Sequence, residues 1–195
     1  MGELFNVFKY KDNIINILLR NKKIIQLLNP VPSDCEELDL VDVLRGGIWE
    51  IDGTEYREQG CIFDHDFVRD VITEKKTFIF VEDTIPTIRN DCFIDFDLFI
   101  CVFTHKDLVR LDGRSKPSVE DIKELGYDVG NSVNRIDLLC DLINSSVSKN
   151  KKMQGIGDIS PAKSNFMTVY LPNKNYYGKC LKYRISNYYV GDGCV

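Results

Sequence analysis

Acidic and basic side chains in three short stretches are the residues of this chain that could carry chemistry. A metal-dependent nuclease holds Mg²⁺ with an aspartate and a Glu-x-Lys on neighbouring strands, which together place the attacking water. Glu74-Lys75-Lys76 has the Glu-x-Lys letters, and Asp95 or Asp97 could supply the aspartate. In the usual order the aspartate comes first, a place that Asp64 or Asp66 could take. A small metal-dependent nuclease therefore stays open as an alternative function.

Two further motifs resemble sites but lack the context that such sites need. Asp64-His65-Asp66 contains metal-binding side chains, but neither CxxC nor HxxxH accompanies it, and His105 is the one other histidine. Gly155-Ile156-Gly157-Asp158 has the glycines of a phosphate loop, yet a helix is predicted before it and a strand after it, the reverse of a dinucleotide site. We therefore predict no catalytic, metal-binding or cofactor-binding residue, and no enzyme activity.

The element that must position the central carboxylates is a long strand over residues 92–106. Its even positions form one unbroken apolar row: Cys92, Ile94, Phe96, Leu98, Ile100 and Val102. Its odd positions mix aromatic rings and carboxylates, because Phe93, Asp95, Asp97, Phe99, Cys101, Phe103 and His105 alternate with the apolar row. A face of this mixed character is neither plainly core nor plainly solvent-exposed, and it suggests a binding partner.

Aromatic side chains are favoured at subunit contacts, and the last strands of the chain are also rich in tyrosine. The predicted subunit interface consists of Phe93, Asp95, Asp97, Phe99, Phe103, Tyr176 and Tyr177. An ordinary thick core remains the alternative for the three phenylalanines.

The flanking elements follow from hydrophobic periodicity. Three helical segments are predicted, over residues 12–20 with Asp12 as N-cap, over 24–28, and over 133–147 with Arg135, Asp137 and Asp141 pointing away from the core. The strand 77–82 should pair antiparallel with the long strand. Hairpins are predicted around Asp52-Gly53 and between the strands 166–171 and 177–189.

This order of elements predicts a single α+β domain over residues 1–195. Its sheet should be mixed and mainly antiparallel, with the helices packed on one face. Residues 31–76, which contain an acidic run, read as a loop-rich insertion, and residues 114–126 as a short helical insertion.

Composition indicates which partners and which cellular compartment to expect for the protein. The net charge of −5 argues against a protein whose main task is to grip nucleic acid. The longest apolar runs are far shorter than the ~20 residues that span a bilayer, so we expect no membrane association. Seven cysteines without a CxxC pair favour reduced, buried thiols and assembly in a cytoplasm.

The arrangement resembles the tail terminator (tail-completion) proteins of tailed bacteriophages, small α+β subunits that form rings at the top of the tail tube. The resemblance covers residues 1–28 and 77–190. It lies in the opening helix with IIQLLNP, the strand FDLFICVFTHKDLV, the helix NRIDLLCDLI, the loop GIGDI, and the closing pair FMTVYLPNKNYYGKCLKYRISNYY. The insertions 31–76 and 114–126 depart from the family pattern and could contact a neck or sheath protein.

The resemblance implies a structural virion subunit without cofactors. Its expected partners are further copies of itself in a ring of six, the tail tube protein, and a head-completion or neck protein, with DNA passing through the bore. An acidic bore would repel phosphates and let the DNA pass. Other head-tail connector proteins share these features, so the role of another connector remains an alternative function. The resemblance also implies assembly in the bacterial host cytoplasm.

Overall fold

The computed structural model describes residues 4–28, 44, 46–58, 60–64, 75–84, 87–90, 93–111, 123–124, 126, 134–151, 158–171 and 173–189. In this part of the chain three helices lie against one face of a mixed, mainly antiparallel sheet, which confirms the predicted α+β fold class. The helices are α1 (Leu4–Leu19), α2 (Lys22–Leu28) and α3 (Arg135–Asn150).

The helices begin where side-chain caps and apolar periodicity place them. The Asn134 side chain accepts the N–H of Ile136 at 2.9 Å and caps α3, and Asn21 accepts the N–H of Lys23 at 3.0 Å between α1 and α2. The prediction that Asp12 caps α1 is wrong. Tyr10 extends the buried stripe one turn towards the N-terminus, so the helix already begins at Leu4.

Nine strands are present in the described ranges. They are β1 (Gly47–Ile51), β2 (Thr54–Glu58), β3 (Ile62–Phe63), β4 (Thr77–Asp83), β5 (Thr87–Asn90), β6 (Phe93–His105), β7 (Asp158–Pro161), β8 (Met167–Tyr170) and β9 (Tyr176–Tyr189). The predicted hairpin around Asp52-Gly53 is confirmed as β1 and β2, and both turn residues have the positive φ that such a tight turn requires.

The strands β3 to β9 form one seven-stranded sheet whose centre is the pair β6 and β9. Strand β6 pairs with β4 and β5 on one side, and β9 pairs with β8 and β7 on the other, all antiparallel. Only β3 runs parallel to its neighbour, β4. The predicted antiparallel pairing of β4 with β6, and that of β8 with β9, are therefore confirmed, whereas β5 and β7 were not predicted.

The helices cover the face that carries the apolar row of β6, here called the helix face. The main core on this face contains Ile94, Phe96, Leu98, Ile100 and Val102, together with the inner sides of all three helices. The opposite face of the sheet, here called the open face, carries a separate buried aromatic cluster. Its fully buried members are Phe78, Phe80, Cys101, Phe103 and Tyr176.

Two strands come unusually close within the aromatic cluster, where Gly178 stands opposite Phe103. A Cβ at position 178 would lie 2.7 Å from the Cβ of Phe103 and would also overlap the carbonyl oxygen of Val102. Glycine is therefore required by the close approach of β9 to β6 at this point.

Arg135 does not point away from the core, as the sequence analysis predicted, but is fully buried. Its Nε donates to the carbonyl oxygen of Leu108 at 2.9 Å, and its Nη1 donates to that of Leu27 at 2.5 Å. Burial lowers the pKa of its guanidinium to about 10, so the side chain remains charged at neutral pH. Arg135 thereby joins the start of α3 to the end of α2.

The cysteines only partly follow the expectation of reduced thiols. Cys61 and Cys140 are both buried, and burial raises the pKa of the Cys140 thiol to about 12. Cys101 and Cys180, by contrast, form a disulfide, which corrects the prediction for this pair. The reason is the strand register, which places the two residues directly opposite each other with their Cα atoms 4.0 Å apart.

Candidate functional site

The carboxylates of the predicted interface lie in a charged network on the open face. Asp97 accepts hydrogen bonds from Lys182 at 2.8 Å and from Arg184 at 3.1 Å. Desolvation by burial opposes ionisation of Asp97, but these two hydrogen bonds outweigh it and lower the pKa of its carboxyl. Asp95 is buried, accepts the N–H of Asn187 at 3.1 Å, and lies 3.6 Å from Arg184.

Three aromatic residues of the predicted interface belong to the aromatic cluster or border it. Phe103 and Tyr176 are buried within it, with ring centroids 5.9 Å apart. Phe99 is half-buried at its border, and the Lys182 ammonium lies 5.4 Å from the centre of its ring. Phe103 and Tyr176 are therefore core residues of the subunit, while Phe99 packs under a cation.

Phe93 lies at the far end of β6 and is exposed. Its ring contacts that of Tyr189 with centroids 5.5 Å apart, and the two side chains are 38% and 49% exposed. We call this pair the end patch. Tyr189 was not among the predicted interface residues, although the crowding of tyrosines in the last strand pointed towards it.

A second exposed apolar surface lies on strand β8, and the sequence analysis did not single it out. Met167, Val169 and Leu171 are 43%, 62% and 64% exposed, and we call them the edge patch. Val169 stands opposite Lys179, and Tyr177 lies two residues along β9 on the same side, half-buried against the main core. Of the predicted interface residues, Tyr177 is thus the one next to this patch.

The two patches are far apart and face in different directions. Val169 pairs with a residue ten positions before Tyr189 in β9, so roughly 33 Å of strand separates the patches at about 3.3 Å per residue. The end patch is on the open face, whereas Met167 and Val169 stand opposite Leu181 and Lys179 on the helix face. The end patch and the edge patch are therefore two separate surfaces.

The polar surroundings of the two patches differ in charge. Lys163 and Lys174, both exposed, lie on either side of the edge patch in the chain. Near the end patch, Asp158 is exposed and accepts a hydrogen bond from the side chain of Asn187 at 2.8 Å. The described charges beside the edge patch are therefore basic, and the exposed Asp158 near the end patch is acidic.

The residues proposed for metal chemistry are not brought together where the structure describes them. Glu74, His65 and Asp66 lie outside the described residues, as does the Gly155-Ile156-Gly157 loop. Among the described residues no three histidine, cysteine or acidic side chains are grouped so that they could hold a metal ion. The Nδ1 atom of His105 accepts the N–H of Asp107 at 3.3 Å. No helix in the described ranges is long and apolar enough to cross a membrane.

Comparison with known proteins gives one finding. The family model named YomW, a name that comes from a Bacillus phage-derived gene family, matches residues 21–185 of the chain. No curated protein matches, and no solved structure matches. Because the family match spans most of the 195 residues, the chain belongs to the YomW family and is a phage-associated protein.

Proposed function

We propose that the protein is a structural subunit of the phage virion, a tail terminator that forms a ring on the tail tube and joins it to the head connector. The observation that carries this proposal is the presence of two separate exposed apolar patches. A ring is closed by heterologous contacts, in which each copy presents two different surfaces. The end patch and the edge patch supply such a pair.

The position of the edge patch also favours assembly. Among the described strands, β8 pairs with β9 alone, which makes it an edge strand of this part of the sheet. The edge strands of monomeric proteins usually carry charged side chains, which prevent pairing with another chain. Strand β8 instead exposes Met167 and Val169. We therefore expect β8 of one copy to contact the Phe93 end of the next.

A mixing experiment with two surface variants tests the ring. Val169→Asp should destroy the edge patch and Phe93→Asp the end patch, and Thr168→Asp, on the opposite side of the same strand, is the matched control. By sedimentation velocity and negative-stain imaging, the wild type and the control should form rings and each apolar variant should be monomeric. An equimolar mixture of the two variants should form dimers only, because each copy retains one intact patch.

Other results would reject parts of the proposal. A wild-type chain that stays monomeric, alone and with polymerised tail tube, would contradict the ring. A Mg²⁺-dependent nuclease assay of the wild type and of Glu74→Ala would then test the enzyme alternative, which predicts activity in the wild type and its loss in the variant. Rings that bind a head-completion protein but do not bind the tail tube would favour the function of another neck connector. In either connector role, we expect the protein in the virion after assembly in the bacterial cytoplasm.

A further inference from the structure

A basic groove lies between the helices and shares no lining residue with either apolar patch. It has a volume of about 520 Å³ and runs between the junction of α1 with α2 and the C-terminal half of α3. Four cations line it, Arg20, Lys22, Lys23 and Lys149, and Asp141 is the single acid among the lining residues. Four positive charges and one negative charge give a local excess of three in a chain whose net charge is −5.

Three of the four groove cations differ in their pairing from three lysines on or beside the sheet. On and beside the sheet, Lys75, Lys179 and Lys182 each lie within 2.8 Å of a carboxylate oxygen. Arg20 and Lys149, by contrast, are exposed, and no described carboxylate lies within 4 Å of either charged group. The same holds for Lys22. Unneutralised charges gathered around one concave surface favour an anionic ligand.

The groove is bordered by one hydrogen bond between the helices and by a second one within α3. The side chain of Asn21 donates to the Ser146 hydroxyl at 2.8 Å, which ties the corner between α1 and α2 to α3. Asn150 donates to the Ser146 carbonyl oxygen at 2.8 Å one turn further along. The cations are therefore carried by a fixed corner of the fold, next to polar donors.

The lining favours phosphate groups over a protein partner. Protein interfaces are enriched in aromatic residues and depleted in lysine, but this groove has three lysines and no aromatic residue, and its two apolar residues, Ile17 and Leu142, are buried. Arginine, lysine, serine and asparagine are the side chains that contact DNA phosphates. We propose that the groove binds the phosphodiester backbone of DNA without reading its sequence.

The expected binding is weak and strongly dependent on salt. With phosphate contacts from Arg20, Lys22 and Lys149, the logarithm of the affinity should fall with the logarithm of the salt concentration with a slope of roughly −2.7. Such a contact would guide DNA without trapping it, which agrees with the acidic charge of the rest of the chain. The proposal goes beyond the ring and does not depend on it, because the groove shares no residue with either patch.

Fluorescence anisotropy of the full chain with a labelled DNA duplex tests the groove. The double variant Lys22→Gln/Lys149→Gln should weaken binding at low salt about tenfold and reduce the salt slope by about two. Lys106→Gln/Lys123→Gln removes the same charge from two exposed lysines that belong neither to the groove nor to a patch, and it is the matched control, expected to bind as the wild type does. Sedimentation velocity on the same samples reports ring formation separately.

Three outcomes would overturn the proposal. The wild type could fail to bind the duplex at low salt, or both double variants could weaken binding equally, which would indicate diffuse attraction without a site. Polyglutamate could also bind as tightly as DNA and depend on Lys22 and Lys149, which would assign the groove to an acidic protein segment. Circular dichroism spectra identical to that of the wild type would exclude misfolding as the cause of lost binding.

Discussion

The two faces of the central sheet are stabilised in different ways. On the helix face, aliphatic side chains of β6 pack against three helices and form the larger core. On the open face, a smaller aromatic cluster is joined by the Cys101–Cys180 disulfide and is followed along the strands by the charged network around Asp97. One face is thus closed by helix packing, and the other by rings, a covalent bond and ion pairs.

This difference shows how one strand can serve two purposes. The even residues of β6 need only be apolar, because the helices exclude water from them. The odd residues change in character along the strand, from the exposed Phe93 through the paired Asp97 to the buried Phe103. One end of the open face is therefore exposed, while its other end stabilises the fold.

The largest expected effect concerns the covalent bond of the open face. Reduction of Cys101–Cys180 should lower the free energy of unfolding by about 4 kcal/mol, because the bond closes a loop across 79 residues. Urea unfolding with and without a reductant measures the loss. The double variant Cys101→Ser/Cys180→Ser should no longer respond to the reductant. If the unfolding free energy of the wild type were the same with and without the reductant, Cys101 and Cys180 would be reduced thiols, as the sequence analysis predicted.

The next effect concerns the buried cation of the helix face. Arg135→Met should lower the free energy of unfolding by about 3 kcal/mol, because the carbonyl oxygens of Leu108 and Leu27 lose a charged donor. Arg110→Met removes an exposed arginine nearby and should change stability by less than about 0.5 kcal/mol. Equal unfolding midpoints for the two variants in urea would show that Arg135 does not hold α2 and α3 together.

The sequence predicted the layers of the fold well because periodicity reports burial directly. The alternation in β6 and β9 and the stripe of α3 predicted these elements and the packing of helices on one face of the sheet, whereas the pairing of β6 with β9 was not predicted. The short strands β5 and β7 were missed, since four residues are too few to show a period.

The predictions failed for a residue whose burial differs from what is usual for its type. They also failed for apolar residues whose role depends on whether they are exposed or buried. Arginine on a helix is usually exposed, so the burial of Arg135 could not be read from its spacing. Met167, Val169 and Leu171 alternate as a half-buried strand would. Their residue types do not show that all three side chains are exposed. Likewise Phe93 and Phe103 share one face, and only the three-dimensional structure separates the exposed ring from the core ring.

The smallest expected effect concerns the ion pairs of the open face and depends on pH. The pKa of Asp97 is lowered in the folded chain, so the unfolded chain binds a proton more readily, and the stabilisation is present above the ordinary pKa of 3.8. It is lost as the pH falls through the lowered value. Asp97→Asn should therefore cost about 0.5 kcal/mol at neutral pH, since pairs near the surface contribute little.

The pH profile separates this electrostatic contribution from a packing effect. The difference in unfolding free energy between the wild type and Asp97→Asn should shrink as the pH falls below about 4, because the wild-type carboxyl then becomes neutral as well. Asp12→Asn, which alters an exposed carboxylate on α1, should show no such change. If the difference for Asp97→Asn stayed constant from neutral to acidic pH, the side chain would stabilise the open face by packing alone, as the helix face is stabilised.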